Sequence, residues 1–160
     1  MPYAQQVPRV VLMCGPAGSG KTTCARALER AGHQRLSIDE EAWARGYRHQ
    51  PLAEEIAGPI EDELRERLVR LVRAGRDVVV DFSFWSRSKR EEYRQLLADL
   101  GVRAETVYLA TPRSVVLARL AARSGTGPDD VVLDPATAAA YVDQFEVPGP
   151  DEGPVTVVGG

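Results

Sequence analysis

Two periodicities alternate along this chain. Short, nearly continuous apolar runs recur, and stretches with apolar residues three and four apart separate them. Arg9-Val10-Val11-Leu12-Met13-Cys14 is the first run and predicts a short buried strand. Thr23 to Ala31 predicts a helix, and Arg35-Leu36-Ser37-Ile38 a short strand ending at Asp39. Ile56, Ile60, Leu64, Leu68, Leu71 and Val72 then recur at helical spacing with charges between them, and Gly75 stops that helix. Asp77-Val78-Val79-Val80-Asp81 reads as a strand buried on both faces. Ser88-Lys89-Arg90-Glu91 predicts a capping box that opens a helix with Tyr93, Leu96, Leu97 and Leu100 inward. Thr106-Val107-Tyr108-Leu109 is a fourth strand. Thr111-Pro112 predicts a cap and first-turn proline for a helix running to about Arg123. Ser124 to Asp130, with two glycines and a proline, predicts a mobile loop. Asp134-Pro135 opens a helix with Ala138, Tyr141, Val142 and Phe145 on one face, and Pro154 to Val158 fits a fifth strand.

Strands alternating with helices predict an α/β fold with a parallel sheet covered on both sides. Ligands in such folds sit beyond the carboxyl ends of the strands. That rule puts Asp39 and Asp81 on the same edge of the sheet as the segment after the first strand. The length of 160 residues suits one domain spanning 1–160. A net charge of −3 disfavours a long nucleic-acid surface. Two cysteines suggest neither a disulfide framework nor a zinc site, and no apolar stretch suggests a signal core or membrane span. A cytoplasmic location, with no obligate protein partner, is the expectation.

The segment after the first strand carries the chemistry. Gly15-Pro16-Ala17-Gly18-Ser19-Gly20-Lys21-Thr22 matches the phosphate-binding loop G-x-x-x-x-G-K-[ST] at every fixed position, with the required strand before it and helix after it. Glycines let the backbone curl around an anion, and the helix N-terminus adds partial positive charge. Gly15, Ala17, Gly18, Ser19, Gly20, Lys21, Thr22 and Thr23 are therefore candidate ATP-binding residues, with Lys21 reaching the β- and γ-phosphates. The chain has two lysines, Lys21 and Lys89, against eighteen arginines, so the ammonium at position 21 stands out against the bias.

Around this loop the sequence offers partners. Asp81 after three valines fits a Walker B acid that holds Mg²⁺, directly or through water, together with Thr22; its alternative is a helix or turn cap. Phe82 stands where hydrolysing motor ATPases usually carry a glutamate. Asp39 fits a carboxylate that accepts the proton of an attacking hydroxyl or helps order the metal; its alternative is a helix cap beside Glu40 and Glu41. Arg119 and Arg123, four apart, predict one helix face able to clamp a triphosphate, with Arg119 a candidate for the nucleotide itself; the alternative is a solvated basic face. Arg87 and Arg90, which follow Asp81 closely, could meet the acceptor, and Arg45, Tyr47, Arg48 and His49 lie beyond Asp39 in the segment that should face it. Arg45 and Arg87 are the candidate acceptor contacts, and the alternative for each of these residues is a surface position. Trp43 and Trp85 either line an acceptor pocket or serve the core.

From Arg9 to Pro148 these residues together resemble the small P-loop kinases. The likeness is to the AAA_33-type group (zeta-toxin-like and chloramphenicol phosphotransferase-like) and to the kinase domain of polynucleotide kinase. It is carried by Gly15 to Thr23, Asp39, Val78 to Ser83 with Arg87 and Arg90, Leu117 to Arg123, and Phe145 to Pro148. It implies a P-loop three-layer sandwich with a five-stranded sheet of order 2-3-1-4-5, a short lid near 119–130, Asp39 as base or substrate anchor, and Arg119 and Arg123 in the lid. The expected activity is ATP- and Mg²⁺-dependent phosphoryl transfer to a hydroxyl of a small molecule. The alternatives are a polynucleotide 5′-hydroxyl kinase and a non-enzymatic nucleotide switch.

Overall fold

The computed structural model describes residues 7–48 and 51–159. Its elements run β1 (Val10–Cys14), α1 (Lys21–Arg30), β2 (Gln34–Leu36), α2 (Ile38–Ala44), α3 (Glu54–Arg73), β3 (Val78–Val80), α4 (Arg87–Asp99), β4 (Glu105–Leu109), α5 (Arg113–Ala121), α6 (Pro135–Asp143) and β5 (Val155–Val158). All five strands are parallel, in the order β2-β3-β1-β4-β5. The architecture is that of P-loop kinase folds, as the resemblance implies.

The strand period of two explains the layers. In β1, Val10, Leu12 and Cys14 point to one face, where α3 contributes Ile60, Leu64, Leu68 and Val72 and α4 contributes Tyr93 and Leu97. Val11 and Met13 point to the other, against Ala25 and Leu28 of α1. Every residue of β1 and β3 is buried, which is why those strands read as unbroken apolar runs. Each such side chain contributes about 1.5–3 kcal/mol by leaving water. A smaller cluster joins α5 to α6 through Val116, Leu120, Leu133 and Ala138.

Several boundaries differ from the expected ones. Asp39 does not end a strand: β2 stops at Leu36, Ser37 caps α2 by accepting from the Glu40 N–H at 3.1 Å, and Asp39 lies in the first helical turn. The α4 cap is Ser86, which accepts from the Lys89 N–H, rather than the box at 88–91. Pro112 is itself the N-cap of α5, because the Thr111 hydroxyl is spent on the Ser19 carbonyl at 2.6 Å. The same helix ends at Ala121, so Arg119 lies in its last turn and Arg123 beyond it, and the two do not share a helix face. The 124–130 loop is tied together by the Asp130 carboxylate, which accepts from the backbone N–H and hydroxyl of both Ser124 and Thr126. Those bonds hold the Asp130 carboxyl down at about 2.

Candidate active site

The loop after β1 turns back sharply. A Cβ on Gly15 would lie 2.5 Å from the Ser19 hydroxyl oxygen, so any larger residue would displace that side chain. Gly15 is buried behind the loop and donates its N–H to the Ser83 carbonyl at 3.0 Å; it does not line the cavity in front. Gly18, at φ +84°, meets α5: a Cβ there would stand 3.0 Å from both the Val116 carbonyl oxygen and the Leu120 side chain. The loop is thereby pressed between β1 and α5. Residues Ala17 to Thr23 line a cavity of about 630 Å³ at the start of α1, together with Arg119 and Arg123. Arg119 donates to the Gly18 carbonyl at 3.3 Å.

Asp81, directly after β3, is 3 % exposed and faces this cradle. Lys21 Nζ lies 3.2 Å from its Oδ1, and the Thr22 hydroxyl 3.3 Å from its Oδ2. A threonine hydroxyl and a carboxylate this close are hard oxygen donors, the kind Mg²⁺ takes in small number while keeping water and phosphate oxygens in its shell. The pair therefore fits a Mg²⁺-nucleotide. Sequence reasoning missed the support behind it. Arg35, its side chain 1 % exposed, donates from Nε and Nη2 to Asp81 Oδ2 at 3.0 and 2.7 Å, and from Nη2 to Asp129 Oδ1 at 3.1 Å. Arg26 of α1 also holds Asp129. Burial works to raise the Asp129 carboxyl, but the two guanidiniums outweigh it and hold it below the usual range. Only one signal for this network existed in sequence: an arginine in the middle of the short strand β2.

A second cavity of about 410 Å³ adjoins the first. Ala17, Asp39 and Arg123 line both. Asp39 is open to solvent within the cleft, yet surrounding protein is dense enough that burial is the main influence raising its carboxyl above the ordinary value. Asp81 and Asp129 add to the rise, while Lys21 and Arg123 oppose it. Arg123 donates to the Val131 carbonyl at 3.4 Å. The far wall comes from α6 and the segment after it, through Tyr141, Gln144 and Phe145, and from Val131 and Leu133.

The near wall is the turn 82–85, which places Ser83 and Trp85 on the cavity. Phe84 holds φ +49°, the left-handed region unfavourable to a bulky residue. Its ring stacks on Phe82 with centroids 5.5 Å apart and meets Tyr93 edge-on at 5.2 Å. Its carbonyl accepts from Arg90 Nη1 at 2.7 Å and from the Cys14 thiol at 3.5 Å. Burial pushes that thiol up to about 12, so it stays protonated as a donor. Arg90 is wholly buried and also pairs with the wholly buried Glu152 at 2.8 Å. Phe82, just after Asp81, is thus part of this aromatic packing.

Other expected contacts are not brought to the site. Arg45 pairs with Glu41 and Glu63. Arg87 pairs with Glu91 and Asp151. Neither lines either cavity, because nearby carboxylates hold them on the surface. Arg48 lies over the Trp43 ring at 3.8 Å, so of the two tryptophans Trp85 alone reaches the cavity. His49 falls outside the described residues. Among the described residues there is no cluster of three or more metal-ligating His, Cys, Asp or Glu side chains, and no helix long and apolar enough to cross a membrane.

Solved structures share this fold. A gluconokinase from Sinorhizobium meliloti 1021 superposes with a TM-score of 0.65 at 22 % identity, covering 95 % of this chain and 82 % of its own. Kti12 from Chaetomium thermophilum, in complex with ADP-AlF3, gives 0.65 at 16 % identity, with 93 % and 88 % covered. A chain of the Pnkp1/Rnl/Hen1 RNA repair complex gives 0.74 at 16 % identity, with 89 % of this chain but 45 % of that one covered. No curated protein matches the chain in sequence. The glycine-bent loop, the acid after β3 and strands β1 to β4 all lie within residues 10–148, where the sequence matches the AAA_33 family, described as an AAA domain, and the chain belongs to that family.

Proposed function

We propose that this chain is an ATP- and Mg²⁺-dependent kinase that transfers the γ-phosphoryl group to a hydroxyl of a small molecule. The observation that carries the reading is the shared wall: Asp39 and Arg123 face both the phosphate-loop cavity and the second cavity, where a phosphoryl group would cross. In this reading the larger cavity takes the nucleotide. Residues Ala17 to Thr23 embrace the phosphates, Lys21 approaches the β- and γ-phosphates, and Thr22 and Asp81 hold the metal. Bound Mg²⁺-ATP supplies the activated phosphoryl group and neutralises part of its charge. Asp39, in the adjoining cavity, accepts the proton as the acceptor oxygen attacks. Arg123, and Arg119 beside the loop, stabilise charge spread over the transferring oxygens. Residues 119–130 act as the lid over a single kinase domain, excluding water from the crossing point. The gluconokinase likeness fits a small-molecule acceptor, and the Kti12 complex fits a nucleotide on this fold.

The test uses two substitutions. Lys21→Ala removes the ammonium from the cradle, and calorimetry should show tight Mg-ATP binding lost with circular dichroism unchanged. Asp39→Asn keeps shape without the carboxylate: ATP affinity should stay within a few-fold while transfer slows by ~10²-fold or more, the scale of general-base loss. Undiminished ATP binding and turnover in Lys21→Ala would remove the phosphate-loop assignment. Weakened ATP binding with normal single-turnover transfer in Asp39→Asn would move that carboxylate to the metal.

A further inference from the structure

The second cavity has a chemical character of its own. Two of its aromatic side chains face open space: Trp85 is 52 % exposed and Tyr141 is 41 % exposed. Both line the same concavity, between the apolar Leu133 and Phe145. Phe145 is held there by stacking on Tyr108, with centroids 6.1 Å apart and planes 18° apart. Large rings left in contact with water inside a concave site leave apolar area that a ligand can cover, and flat ring faces favour offset or edge-on partners.

Charge narrows the choice. Among the residues lining this cavity the charged ones are Asp39 and Arg123. Arg123 also lines the nucleotide cavity, where the phosphates would claim it. Arg45 and Arg87, the first arginines after Asp39 and Trp85 in sequence, are each held by two carboxylates on the surface. An anionic acceptor would therefore enter without a cation of its own, and an unpaired buried charge is costly. Recognition of a phosphate backbone or carboxylate normally uses arginine forks, and beyond Arg123 this cavity offers none. The volume of about 410 Å³ suits a one- or two-ring compound, within the usual range of small-molecule sites. Ser83 and Gln144 supply polar groups for the edges of such a compound.

We propose that the acceptor is an uncharged alcohol carrying a planar ring, with the ring against Trp85 and Tyr141 and the hydroxyl at Asp39. The proposal rests on the kinase reading above and names the substrate class of that same site. An aryl alcohol and a nucleoside both satisfy this chemistry, and the test separates them.

The experiment begins with Trp43→Phe, which leaves Trp85 as the single indole of the chain. Its fluorescence is followed on adding 2-phenylethanol, uridine, D-glucose, D-gluconate or a 5′-hydroxyl oligodeoxynucleotide, with Mg-ATP affinity measured in parallel by calorimetry. In the wild-type chain, transfer of labelled γ-phosphate to the same five compounds gives kcat/KM. The expected result is quenching by uridine or by 2-phenylethanol, with kcat/KM for that compound at least ten-fold above the values for glucose, gluconate and the oligonucleotide. Which of the two is preferred identifies the source of the ring. Trp85→Ala should raise KM for it ten-fold or more with kcat changed less than three-fold, and Trp85→Phe should restore most of the loss. Preference for glucose, gluconate or the oligonucleotide overturns the proposal and leaves the kinase reading standing. So does normal Mg-ATP binding with neither ring alcohol quenching Trp85 nor accepting phosphate. Failure of the wild-type chain to bind Mg-ATP overturns the kinase reading, and this proposal with it.

Discussion

Arg90 makes the strongest single-residue case for how this sequence builds its site. A guanidinium with no exposed surface is tolerable because all its contacts are specific: the Phe84 carbonyl, both oxygens of Glu152, and a long contact to the Cys14 sulfur. Removing Arg90 leaves the buried Glu152 carboxylate with Arg94, at 3.1 Å, as its remaining counter-charge. Arg90→Met should therefore cost ~3–5 kcal/mol in urea unfolding, the usual cost of breaking a buried ion pair. Adding Glu152→Leu should recover part of that loss, since an apolar pair of similar volume is often close to neutral. A single mutant within ~1 kcal/mol of wild type would mean that Arg90 contributes little beyond its aliphatic stem. From the sequence, Arg90 looked like an acceptor contact, because it follows Asp81 closely in a helix rich in charge. Nothing local marks it as buried: its partner is 62 residues away.

At the scale of elements, the two arginines of the α5 region do different work. Arg119 sits in the last turn of α5 and leans on the phosphate loop through the Gly18 carbonyl. Arg123 lies past the helix end, on the wall between the cavities. Once an acceptor is known, Arg123→Ala should lose ~2–4 kcal/mol of transition-state stabilisation, read from kcat/KM, as expected for a donor aimed at developing charge. Arg119→Ala should act mainly on KM for ATP. If both stay within two-fold of wild type, the pair is only a basic face. The strands were legible because β1 and β3 are buried on both faces, which writes them as uninterrupted apolar runs. The start of α2 was misread because Ser37-Ile38 continues the β-like run, although Ser37 with Glu40 three residues on is itself the capping signature the helix uses. The α5 end was misread because Leu117 to Arg123 keeps good helix formers past the point where the chain turns into the 124–130 loop.

At the scale of the whole molecule, ionisable groups far apart in sequence tie the layers together. Arg35 joins β2 to Asp81 after β3 and to Asp129 in the loop after α5, 46 and 94 residues away. Such a network has no local pattern, so a reading of periodicity and motif finds the phosphate loop and its acid but not what braces them. Glu152 gives the network at the other end of the site a pH signature. Burial would raise its carboxyl, but hydrogen bonds from Arg90 and the Gly149 N–H outweigh burial and hold it below its ordinary value of 4.5. A carboxyl depressed on folding stabilises the native state at neutral pH, and that stability is lost as pH falls from the ordinary value through the lowered one. Urea midpoints should fall more steeply below about pH 4.5 in wild type than in Glu152→Gln. Parallel pH profiles for the two proteins would place the acid sensitivity elsewhere.

The pairing of Arg90 with Glu152 also sets an order in time. A chain made from its N-terminus presents the phosphate loop, Asp39 and the strained turn at Phe84 well before residue 152 exists. Until then the Arg90 guanidinium lacks the Glu152 carboxylate it is buried against, and the turn that carries Trp85 lacks that brace. Val158 and Gly159, which line the nucleotide cavity, arrive later still. A nascent chain therefore carries its most recognisable motif long before it has a complete cavity on either side, and competence waits for residues 152–159 rather than growing with length.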